Sequence, residues 1–144
     1  MIKMTRKFAR KLQSLKNIFS FIHDFAQKSN LDDKGIFIAN IVLEELFTNA
    51  VKYIKANKNP VTISLSKGDG KFIISLIDTD VDSFDIRMKE KYDFRKKLEE
   101  RKVGGLGIPL VHKMVDKIDY SYENRKSKIT LIKYLENEHV QDYN

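Results

Sequence analysis

The chain contains no cysteine and no tryptophan, only two prolines, and three histidines among 144 residues. The missing thiols exclude disulfides, thiolate zinc sites, iron–sulfur clusters and a cysteine nucleophile. His23, His112 and His139 are scattered, so the sequence does not suggest a histidine-based metal site. Long apolar runs are missing too. Uncharged apolar runs such as Gly35 to Leu43 fall far short of the roughly 20 residues that cross a bilayer. Acids are absent before Asp24, which imitates a targeting segment. No small-residue cleavage site follows it, however, and a cytoplasmic protein with no membrane association is the expectation. There is no internal repeat and no low-complexity tract.

What is present is one folded domain's worth of apolar residues, 42% hydrophobic against 33% charged, in a length suited to a single core. The formal charge of +7 suggests an acidic partner, and its position along the chain matters more than its size.

Periodicity divides the chain. Leu12, Leu15, Ile18, Phe19, Ile22, Phe25 and Ala26 recur at helical spacing as far as Asn30. Asn30-Leu-Asp-Asp then offers a turn and N-cap for a second helix from about Lys34 to Ala56, with Phe37, Ile41, Val42, Leu46, Ala50, Val51 and Ile54 as its stripe. Val61 to Lys67 alternates strictly, Gly68-Asp-Gly70 turns the chain, and Lys71 to Ile77 returns, which predicts a hairpin. A second hairpin is predicted from Ile118 to Glu123 and Lys128 to Leu135, around Asn124-Arg-Lys-Ser127. A polar stretch, a glycine cluster and a helix bearing Ile108, Val111, Met114, Val115 and Ile118 lie between the hairpins. Locally paired strands with helices argue for an α+β, two-layer sandwich: a mostly antiparallel mixed sheet with helices on one face. Residues 1–136 form the expected single domain, and 137–144 a polar tail.

Three stretches carry chemistry. Glu45 and Asn49, four apart on the second helix, share a face among Leu46, Ala50 and Val51. A carboxylate beside a carboxamide can orient a hydroxyl and hold a hard cation, whereas the bland alternative is a solvated helix pair. Gly104-Gly-Leu-Gly107 runs into a helix, where free N–H groups suit a phosphate, or else form a hinge. Asp78-Thr-Asp-Val-Asp-Ser-Phe-Asp85 ends a strand with four acids, either as a polar turn or as a ligand-reading loop.

Taken in order, these pieces resemble the N, G1 and G2 boxes of the GHKL ATPase superfamily, with the histidine-kinase-like ATPase fold, and within it the RsbW-like anti-sigma-factor serine kinases. The resemblance covers nearly the whole chain. It implies an ATP and Mg²⁺ pocket in which Glu45 is the general base and Asn49 the Mg²⁺ ligand. It also implies that Gly104, Gly105, Leu106 and Gly107 cradle the phosphates, and that Asp78, Thr79 and Phe84 border the adenine. Such proteins phosphorylate a serine of a small antagonist protein and sequester a sigma factor, often as homodimers. Positioning and charge neutralisation are most of what phosphoryl transfer asks of a protein.

The family's G1 pattern, Asp-x-Gly, is altered in this chain. Aligned on Ser83-Phe84-Asp85, its positions hold Thr79 and Val81; with one inserted residue they hold Asp78 and Asp80. A carboxylate lost from the base would weaken binding about tenfold to hundredfold. The runner-up is therefore a protein-binding module of the same fold that binds nucleotide weakly or not at all. Arg87 to Lys102 carries eight basic and four acidic residues, a net +4 beside the glycines, with Arg101 and Lys102 among those expected to reach phosphates. Nucleic-acid binding is the third reading, and it lacks the stacking aromatics or recognition helix it would need.

Overall fold

The structure, a computed structural model, describes residues 1–53, 57–81 and 107–135. It contains a five-stranded sheet in the order β1-β2-β3-β5-β4, formed by β1 (Ile2–Phe8), β2 (Val61–Gly68), β3 (Lys71–Thr79), β4 (Lys117–Glu123) and β5 (Lys126–Tyr134). All four pairings are antiparallel. Three helices, α1 (Leu15–Ser29), α2 (Asp33–Tyr53) and α3 (Gly107–Met114), complete the described elements after a short 3-10 turn at Leu12–Ser14.

The alternation in β2 and β3 sets the layers. Val61, Ile63 and Leu65 with Phe72, Ile74 and Leu76 face the helices and are buried, while Thr62, Ser64, Ser66 and Ser75 line the opposite face. Phe72 stacks on Phe25 of α1 at 6.0 Å between ring centroids, and Phe8 meets Phe21 edge-on at 5.5 Å. The core is thus one layer between α1, α2, α3 and the sheet.

Local signals explain the element ends. Asn30 closes α1 in the left-handed region (φ 58°), a role asparagine fills when glycine is absent. Asp32 caps α2, its Oδ1 accepting the Gly35 N–H at 2.8 Å. Both hairpins close on two residues with positive φ, Asp69-Gly70 and Asn124-Arg125, as type I′ turns require. The second turn is tighter than the four residues expected, so β5 begins at Lys126.

Several expectations are corrected. The strand β1 was not anticipated, because Arg6 stands at an inward position and disguises the alternation; its guanidinium lies 4.9 Å above the Phe21 ring. Leu12, on the 3-10 turn, and Phe19, on α1, are exposed at 44% and 36%, since α1 buries Ile18, Phe21, Ile22, Phe25 and Ala26; Phe37, on α2, is exposed at 59%, and Ile38, Ala39, Leu43 and Phe47 join the expected Val42, Leu46 and Ala50 in the core. Ile118 belongs to β4, not to the helix before it. Among the described residues no helix is long and apolar enough to cross a membrane.

Candidate functional site

Helix α2 brings Glu45 and Asn49 together. Asn49 Nδ2 donates to Glu45 Oε2 at 2.9 Å, and Glu45 is 4% exposed while Asn49 is half-buried. The bond uses the amide's donor end, which leaves the orientation of its oxygen opposite to that of Nδ2, as a hard-cation ligand requires. The pair therefore departs from the solvated alternative: a carboxylate this buried needs partners. No three of His, Cys, Asp and Glu gather into a metal-binding set among the described residues.

Asp78 and Thr79 end β3. Asp78 is buried, and both of its oxygens are taken by Arg10, which lies between β1 and the 3-10 turn. Arg10 Nη2 donates to Asp78 Oδ1, and Nη1 donates to Oδ2 at 3.1 Å. Nη1 also donates to the Ala50 carbonyl at 3.1 Å and Nε to the Asn59 carbonyl at 3.1 Å. Ala50 follows Asn49 in α2, so the ion pair sits one residue along the helix from the Glu45–Asn49 pair.

The residues after Asp78 are equally fastened. Asn57 Nδ2 donates to the carbonyls of Thr79 and Asp80, and its Oδ1 accepts the Asn59 N–H at 2.8 Å. Thr79 Oγ1 accepts from Asn59 Nδ2 at 3.2 Å. Val81, 2% exposed, donates its N–H to the Arg125 carbonyl at 3.0 Å and accepts from the Tyr122 hydroxyl at 2.7 Å. Arg125 Nε donates to Asp80 Oδ1 at 2.9 Å, an exposed pair worth little by itself. Asp80 has φ 59°, the left-handed conformation a glycine would adopt freely and aspartate tolerates. Asn57→Ala is expected to lower stability by about 1–3 kcal/mol, because three backbone groups lose their partner in a residue only 8% exposed; urea unfolding checks it.

Gly107 opens α3, which packs on α2 through buried residues including Ile108 and Val111, and Pro109 lies in its first turn. Phe84, Arg101, Lys102, Gly104, Gly105 and Leu106 lie outside the described residues, as do the segment from Arg87 to Lys102 and the tail. The described site therefore holds Glu45 with Asn49, and Asp78 with Thr79 beside them. Sequence reasoning missed Arg10, Asn57, Tyr122 and Arg125. Only Asn57, in a turn-like Asn-Lys-Asn-Pro run, carried a local signal.

For a nucleotide, the two ends of the site differ. Glu45 and Asn49 bond each other, whereas each oxygen of the Asp78 carboxylate accepts a bond from Arg10 and keeps further acceptor capacity.

Two solved structures share the fold. One holds the RsbU and RsbW domains of a protein from Mycobacterium tuberculosis, at TM-score 0.66 and 13% identity over 94% of this chain and 33% of that one. This chain thus spans about a third of its length. The other is the SiaB–SiaC complex from Pseudomonas aeruginosa, at TM-score 0.60 and 11% identity over 90% of this chain and 88% of that one. No curated protein matches. The model of one family, described as histidine kinase-like ATPase domain, matches residues 8–133 and so takes in Arg10, the Glu45–Asn49 pair, the end of β3 and nearly all of the last hairpin. On that match, which runs over most of its length, the chain belongs to the histidine kinase-like ATPase domain family.

Proposed function

We propose that the protein is an ATP-dependent protein kinase of the anti-sigma regulatory type, one that phosphorylates a serine of a small antagonist protein and sequesters a sigma factor in the cytoplasm. Family membership supports ATP binding, and the likeness to an RsbW-domain chain and to a SiaB–SiaC complex supports a protein partner. The observation that carries the reading is the buried Glu45 bonded to Asn49 on one helix face.

In this reading bound MgATP supplies the phosphoryl group and neutralises its charge. Asn49 would hold the Mg²⁺ through its side-chain oxygen. Glu45 accepts the serine proton as the new P–O bond forms and the bond to the leaving diphosphate breaks. Gly104, Gly105, Leu106 and Gly107 offer backbone N–H groups to the phosphates, with Arg101 and Lys102 adding positive charge. Thr79 and Phe84 border the base. The protein acts as a homodimer and needs no nucleic acid.

The Arg10–Asp78 pair favours a second reading, a protein-binding module with weak nucleotide affinity. MgATP separates the two. A ligand at 100 times its Kd stabilises the native state by about 2.7 kcal/mol, so the kinase should melt roughly 5–10 °C higher in saturating MgATP. An unchanged melting temperature at millimolar MgATP rejects the kinase reading.

A further inference from the structure

We propose that the free edge of β1, with the groove between this strand and α1, is a docking site for an extended acidic segment of a partner protein, which adds to the sheet beside β1. The site uses described residues alone and does not depend on nucleotide binding.

Six cations precede the first acid of the chain: Lys3, Arg6, Lys7, Arg10, Lys11 and Lys16. Arg10 is engaged by Asp78. The other five are exposed, and none of them forms an ion pair among the described residues. Three stand on β1, where the register with β2 puts Lys3 and Lys7 on the open face of the sheet beside Ser66 and Thr62, and Arg6 on the helix side beside Ile63. A groove of about 400 Å³ lies between the end of β1, the 3-10 turn and α1; Arg6, Lys7 and Lys11 line it with Asn17 and Ser20, and no acid enters the lining. A strand added here meets cations on both of its faces.

The edge offers more than charge. β1 ends the sheet and pairs with β2 alone among the described residues, so every second residue directs its N–H and C=O outward. Donors and acceptors alternate along that edge, a pattern that another extended peptide repeats and that the acceptor-only phosphates of DNA do not. Lysine on an edge also discourages wrong pairing. The opposite edge shows that use with both signs: β4 carries Lys117, Asp119 and Glu123, with Lys117 3.9 Å from Asp119. On β1 the single sign repels basic strands and attracts acidic ones. A second copy of the chain is disfavoured for the same reason. Antiparallel pairing of two β1 strands centred on Thr5 sets Lys3 of one copy against Lys7 of the other, and like charges directly opposite destabilise a sheet.

The probe is a fluorescent peptide of alternating glutamate and threonine, titrated into the full chain and followed by anisotropy. A glutamate–proline peptide of the same length and charge lacks half the donors and the strand geometry, and should bind about tenfold more weakly or less well still. Lys3→Glu with Lys7→Glu, at exposed side chains, should weaken the glutamate–threonine peptide by about tenfold. Lys126→Glu with Lys128→Glu, on β5, makes the same change in net charge and should leave its affinity within about twofold. Should the β1 variant not fold, Lys11→Glu replaces it, with an expected loss of about threefold. Failure of the glutamate–threonine peptide to bind overturns the inference. So do equal affinities for the two acidic peptides, or equal losses in the β1 and β5 variants, either of which reduces the edge to unspecific charge. Tighter binding of a DNA oligomer or of phosphatidylserine vesicles, abolished by the β1 variant, assigns the surface to those partners instead, and a dimer of the unaltered chain that the β1 variant dissociates assigns it to a second copy.

Discussion

Glu45→Gln is expected to lower phosphoryl transfer by about 10²–10⁴-fold, the usual worth of a positioned general base, while changing MgATP affinity less than about threefold. The replacement is nearly isosteric. An amide oxygen at Oε2 still accepts from Asn49 Nδ2, so α2 keeps its geometry and Asn49 its orientation. What disappears is a group able to take the serine proton. A merely structural Glu45 behaves otherwise: its burial at 4% exposure makes the hydrogen bond valuable to stability, and Gln would preserve both fold and transfer. The two roles therefore separate in one variant. Single-turnover transfer to the serine substrate, with MgATP binding measured in parallel, gives the answer; transfer within tenfold of the unaltered protein removes Glu45 from the chemistry. Asn49→Ala is the complementary case. It takes the proposed cation ligand away and leaves Glu45 in place, so the loss should appear first in the Mg²⁺ dependence of nucleotide binding.

That Glu45 and Asn49 were legible in the sequence, and Arg10 was not, follows from distance along the chain. Residues four apart on an apolar-striped helix share a face by geometry alone, and the structure needs only to add that this face is buried. Arg10 finds Asp78 across 68 residues, through the pairing of β1 with β2 and β2 with β3, and no local pattern announces such a meeting. The same contrast runs through the fold. The β2–β3 hairpin was readable from its alternation and its Gly68-Asp-Gly70 turn. The β4–β5 turn was read too long, because its second residue at positive φ is Arg125, where glycine is the usual signal. In β1 the inward Arg6 concealed an edge strand, since a cation lying over the Phe21 ring counts as polar in any pattern although it covers the core. On α2 Phe37 and Ile38 both sit among apolar neighbours, so the sequence does not choose between them, whereas the fold buries Ile38 and exposes Phe37.

Arg10→Met is expected to lower the unfolding free energy by about 3–5 kcal/mol, the cost of leaving one partner of a buried ion pair uncompensated. A domain of this kind has roughly 5–15 kcal/mol in all, so a large share of its stability depends on one side chain. The cost has two sources, which further variants separate. One is the stranded Asp78 carboxylate, 4% exposed and unable to recover water. The other is the loss of donors to the Ala50 and Asn59 carbonyls. Asp78→Asn keeps an acceptor oxygen for the guanidinium and should cost less than Arg10→Met. The double variant Arg10→Met with Asp78→Leu removes both charges and fills the space with apolar groups, so it should recover the first term and retain about 1–3 kcal/mol from the second. Urea unfolding of the unaltered protein, Arg10→Met, Asp78→Leu and the double variant closes the cycle. A double variant more stable than Arg10→Met alone assigns the damage to the unpaired charge. Simple additivity would mean the two groups do not interact, which a bidentate contact between buried side chains does not allow.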